Sequence, residues 1–144
     1  FARLFAGENV ESYVFESVHP YPPGFRVLKQ TLHIPGANAL AFTFDPRCST
    51  TNSNDAVRFY AGMNLLNSRV DAAMTRQLPN CQFYGNALDR NQTWPRYTKI
   101  IAGDTVTICF SAKTPPKDND KTRWGLRCVA KGMVLEPLPW LLDL

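Results

Sequence analysis

The sequence predicts an all-β chain, an antiparallel β-sandwich interrupted by one longer insertion. Three observations predict it. Apolar and polar residues alternate with period two along several short runs, each run closes in turn chemistry, and no long amphipathic helix stands between them. The first run, around "ESYVFESV", carries Val14 and Val18 as its apolar face with Glu16 between them. His19-Pro20 then turns the chain, Tyr21 covers an edge, and Pro22-Pro23-Gly24 ends the corner. In "RVLKQTLHI" Leu28, Leu32 and Ile34 fall together, closed by "PG" at 35–36. In "LAFTFD" Leu40, Phe42 and Phe44 share one face, and "DPRCSTTNSND" (45–55) follows as a polar loop. "AVRFY" pairs Val57 with Phe59.

From Tyr60 to Ile100 the alternation fades. Leu65, Leu66, Val70, Ala73 and Met74 are spaced as on a helix, and loop composition follows. This interval, around residues 61–99, reads as an insertion able to hold one short helix. Beyond "AGD" (102–104), "DTVTICF" sends Val106, Ile108 and Phe110 inward. After the turn "KTPPKDND" (113–120), "WGLRCVA" does the same with Trp124, Leu126 and Cys128. The sandwich is expected over 13–132, with 1–12 a lead-in and 133–144 a linker or the start of a following helix. An opening on Phe1 and a close on "PLPWLLDL" predict a segment of a longer protein.

Composition narrows the function classes. With 144 residues, 44% hydrophobic and 19% charged, the chain is large and apolar enough for a real core. The net charge of +4 comes from Arg and Lys scattered singly, which argues against a nucleic-acid surface, since such binders gather charge on one face. No run reaches the length of a membrane-spanning helix. Cys48, Cys81, Cys109 and Cys128 lack CxxC or CxxH spacing, so no zinc site is expected. If 105–111 and 124–130 are neighbours in one sheet, Cys109 and Cys128 point to opposite faces and stay unbridged. Cys48 with Cys81 remains open, both being read as loop residues. Four reduced thiols and an intracellular (cytoplasmic or nuclear) protein are the expectation.

No GxSxG, HExxH or Gly-rich phosphate loop occurs, and neither His19 nor His33 has a local nucleophile or base, so no enzyme is expected. "NQT" at 91–93 matches a glycosylation triplet, relevant only outside the cell. A hard cation such as Ca²⁺ wants several oxygens converging from separate loops. Should the strand ends meet at one pole, Glu16, Asp45, Asp55 and either Asp118 or Asp120 would supply them. The plain alternative is that acids in turns accept backbone N–H groups. Trp94, beside Pro95, packs over the sandwich or, with Tyr97 and Tyr84, offers a stacking platform to a carbohydrate.

The order "ESVHPY", "HIPGANALAFTFDPRCSTTNSNDAVRFY", "YGN", "WP", "IAGDTVTICFSA" and "RWGLRCVAKG" resembles a CUB-like module. It is similar to the version inside very large eukaryotic proteins, such as zinc finger ZZ-type and EF-hand domain-containing proteins and giant HECT-type ubiquitin ligases. The resemblance implies a jelly-roll-like β-sandwich with no catalysis of its own. It also implies that Glu16, Asp55 and Asp118 match the positions that hold Ca²⁺ in extracellular CUB domains. Here "PPKDND" leaves Asp118 and Asp120 in competition, and the cysteines do not follow the extracellular pattern. The expected function is that of an interaction or scaffolding module of a larger protein, plausible in an E3 ubiquitin ligase, binding a protein partner or neighbouring domain through its loops. A calcium-dependent extracellular recognition domain and a carbohydrate-binding sandwich are the alternatives.

Overall fold

The computed structural model describes residues 2–5, 12–62, 77–114 and 122–137. Among them run nine strands: β1 (Ala2–Phe5), β2 (Ser12–Glu16), β3 (Gly24–His33), β4 (Ala39–Phe44), β5 (Ala56–Ala61), β6 (Gln77–Phe83), β7 (Lys99–Ala102), β8 (Thr105–Thr114) and β9 (Arg127–Pro137). They divide into two sheets. One holds β3, β8, β5 and β6 in that order, and the other runs β1, β9, β4, β7, with β2 also bonded to β9. β2 pairs with the first half of β9 (Ser12↔Lys131 to Glu16↔Arg127), and β1 with the second (Ala2↔Pro137 to Phe5↔Val134). Every pairing is antiparallel. The chain is all-β, as its alternation predicts.

The core is the set of residues that period two sends inward. Leu40, Phe42, Val57, Phe59, Val106, Ile108 and Leu126 are all essentially inaccessible to water. Rings interlock across the two sheets, Phe42 of β4 with Phe59 of β5 at 4.6 Å and Phe44 with Phe83 of β6 at 5.0 Å. Such tilted and edge-on pairs add to the burial of large apolar area, which makes the sheet-to-sheet seam the main source of stability.

Several expectations are corrected. The first strand has the opposite parity: Phe15 is buried, while Val14 and Val18 are exposed. Phe15 pairs with inward-facing Cys128, and the larger apolar ring takes the interior. Leu28 is exposed as well, as are its neighbours Phe25, Arg26 and Val27 in the first half of β3. Tyr21 covers no edge; it is buried. Within the expected insertion, Gln77–Phe83 is a strand of the sheet. Pro79 and the positive φ of Asn80 (58°) interrupt its alternation, and its pairing with β5 slips between Arg58 and Tyr60. An edge strand tolerates both features. The helix-spaced residues 65–74 lie outside the described residues. β8 and β9 belong to different sheets, so Cys109 and Cys128 are separated by topology rather than by parity. Strand pairing also reaches past 13–132 on both sides, through β1 and through β9 as far as Pro137.

Candidate functional site

At the end of the sandwich where β2, β4, β6 and β8 stop, the connections 17–23, 45–55, 84–98 and 115–126 come together, the last described from 122 onward. Buried polar groups fix them. Asp55 is fully buried; the Tyr21 hydroxyl donates to its Oδ2 and the Lys113 N–H to its Oδ1, both at 2.6 Å. The same Tyr21 oxygen accepts the Thr51 N–H at 3.2 Å. Arg123, also buried, donates from Nε to the Tyr21 carbonyl at 3.0 Å, and the Tyr21 N–H donates to the Arg123 carbonyl at 2.9 Å. Thr50 accepts the Gly85 N–H on its hydroxyl at 2.8 Å and donates its own N–H to the Gly85 carbonyl at 2.8 Å. Gly125 exchanges both backbone hydrogen bonds with Ser49 (2.9 and 2.8 Å) at a φ of +101°, a conformation that suits glycine. Loops tied in this way present a preset surface rather than a plastic one.

That surface contains an open cleft of about 720 Å³. It is lined by Pro46, Arg47 and Ser49 of the 45–55 loop, by Asn86, Leu88, Trp94 and Arg96 of the 84–98 connection, and by Thr122 and Trp124. The Trp94 ring packs near Phe44 and Phe83, and its Nε1–H donates to the Gly85 carbonyl at 2.8 Å. Arg96 is exposed and makes no hydrogen bond or ion pair among the described residues. Leu88 is 90% exposed at the rim. The cleft thus joins an apolar body with an available guanidinium.

Beside the cleft, Trp124 organises charge. His19 stacks on its ring at 3.8 Å, and the Arg47 guanidinium lies 4.7 Å from the ring centre. Arg47 also grips Asp45 with a fork of two 3.0 Å hydrogen bonds, and this bonding holds the Asp45 carboxyl below the usual carboxylate range. His19 has acceptors at both ring nitrogens, the Trp124 carbonyl at Nδ1 (2.5 Å) and Glu16 Oε2 at Nε2 (2.6 Å). A neutral imidazole has one N–H to share between them. Arg127 Nε stands 3.8 Å from the same Glu16 oxygen.

The structure brings Glu16, Asp45 and Asp55 to this one end, yet each is already engaged: Glu16 by His19, Asp45 by Arg47, Asp55 by Tyr21 and Lys113. Among the described residues no three His, Cys, Asp or Glu side chains converge as metal ligands. Asp118 and Asp120 lie outside the described residues. Of the stacking candidates Trp94 lines the cleft, whereas neither Tyr84 nor Tyr97 does. Sequence reasoning missed Arg47, Arg96, Tyr21 and Arg123. A lone arginine in a loop looks like ordinary solvated charge, and Tyr21 was read as the cover of an edge. All four cysteines carry free thiols. Burial raises the Cys48 thiol to about 11 and the Cys128 thiol to about 12.

Over 156 aligned positions, covering 96% of the chain, it is 35% identical to human "Probable E3 ubiquitin-protein ligase HECTD4". The chain resembles one segment of a very large protein. It spans about 4% of that relative's length. No protein-family model matches the chain, and no solved structure matches it. Among the described residues no helix is long and apolar enough to cross a membrane.

Proposed function

We propose that this chain is a CUB-like, non-catalytic interaction module of a larger protein of the ubiquitin-ligase kind, working inside the cell. It engages a protein partner or a neighbouring domain through the loop-lined cleft. The observation that carries this reading is the cleft itself: loops pinned by buried Asp55, Thr50 and Arg123 hold Trp94, Leu88 and the unengaged Arg96 in one open surface. The likeness to a segment of a probable ubiquitin ligase supplies the context. Of the reactive groups lining the cleft, Asp45 is forked to Arg47 and burial pushes the Cys48 thiol up, and the chain is a small fraction of the relative's length, so its work is recognition rather than chemistry.

The test is site-specific photo-crosslinking in cells, with the probe at Leu88 or Arg96 and, as control, at exposed Ile100 on β7. A discrete protein adduct from the cleft positions, absent from Ile100 and lost on Arg96→Glu when the probe is at Leu88, is expected. Equal adducts at all three positions would overturn the assignment.

A further inference from the structure

We propose that the free edge of β3 is a docking edge for an extended, acid-rich segment of a partner protein, which adds to the four-stranded sheet as a fifth strand. β3 is ten residues long and lies at the end of its sheet, where only β8 pairs with it among the described residues. Its other side therefore presents a row of backbone donors and acceptors, the template for strand addition.

Two contrasts set this edge apart. The opposite edge of the same sheet is β6, and it is guarded by Pro79, the turned backbone of Asn80 and a slip in register. β3 has no such guard. It pairs with β8 in unbroken register from Gly24↔Thr114 to His33↔Thr105, with no proline and no bulge. Exposed apolar side chains gather here too. Phe25 is 74% exposed, Val27 52% and Leu28 41%, and Val14 on β2 adds 48%. These make four of the eight large apolar side chains exposed among the described residues. β2 and β3 also flank one crevice, lined by Val14 and Gln30.

Charge names the partner's chemistry. β3, β5, β6 and β8 contain Arg26, Lys29, Arg58 and Lys113 and not one Asp or Glu. In register, Lys29 and Arg58 stand on either side of Cys109 across the outer face. A second copy of this chain would set Arg26 and Lys29 against their own kind, so self-pairing is disfavoured. Arg26 and Leu28 fall on one face of β3, and Phe25, Val27 and Lys29 on the other, so a strand carrying carboxylates and apolar residues on both faces answers the cations and the exposed side chains alike.

The probe is a fluorescent peptide of about twelve residues repeating Glu-Glu-Val-Val, which puts both residue types on each face and can span one strand. Its binding to the whole 144-residue chain is followed by anisotropy at low and high salt and by amide NMR. Binding that weakens with salt and shifts β3 amides is expected. It should fall about tenfold for Arg26→Glu/Lys29→Glu. The paired result is recovery of that variant's binding by the same peptide with Lys in place of Glu, which a misfolded variant would not show. Perturbations confined to the loop cleft, affinity unchanged in the variant, or binding to phosphatidylserine vesicles without binding to the peptide would each overturn the proposal.

Discussion

Tyr21 and Asp55 show how much one contact does at this end of the molecule. The phenol ties its own connection to the 45–55 loop and to β8, donating to Asp55, accepting from Thr51 and setting its ring edge-on to Phe110 at 5.2 Å. Tyr21→Phe keeps the ring but removes both hydrogen bonds and leaves a buried carboxyl short of a donor. The expected cost is about 1–3 kcal/mol, read from the midpoint of urea denaturation. Asp55 was legible in the sequence as a residue of interest, because an acid opening a strand after a polar loop is conspicuous. Its role was not legible. A ligand for a cation and a brace for buried loops look alike until the partner 34 positions away is known.

At the scale of elements, the central strands were legible and the edges were not. β4, β5 and β8 alternate cleanly because each has one face in the core, and local pattern suffices to find them. β6 escaped because its pairing survives a proline and a left-handed asparagine that pattern reading treats as loop. β2 was found with its faces exchanged, since Val14 and Val18 compete with Tyr13 and Phe15 on equal terms until pairing with β9 decides. The loop tip at Gly125 offers a test of how firmly the elements are joined. A Cβ there would collide with Ser17 Oγ, which accepts the Leu126 N–H at 3.0 Å, and φ of +101° would strain any side chain. Gly125→Ala is expected to cost about 1–3 kcal/mol, lowering the melting temperature while the sheet signature in circular dichroism persists.

For the whole molecule, the sandwich was legible but the partition of strands between its layers was not, because sheet membership depends on pairings between distant segments. Cys109 and Cys128 illustrate this: the expectation that they stay unbridged rested on a shared sheet that does not exist. The buried thiols also make the fold sensitive to alkali. Cys48 and Cys128 lie above their ordinary value of 9.0 in the folded state, at about 11 and about 12. The folded state thus favours the neutral thiol. That contribution is whole below about pH 9 and is lost as pH climbs through the folded values. The melting temperature should stay level up to about pH 9 and fall beyond it, with a shallower fall in Cys48→Ala/Cys128→Ala. A steep fall unchanged in that variant would show that other groups govern it.

The pairing of β1 with the far end of β9 has a mechanical consequence. Ala2 and Pro137 are partners at the same end of one short ladder. Tension that drew these two points apart would open the ladder rung by rung, as a zipper parts, instead of shearing all its bonds together. Phe5↔Val134 would separate last, and the seam of β2 along the earlier half of β9 would remain to hold the sandwich shut.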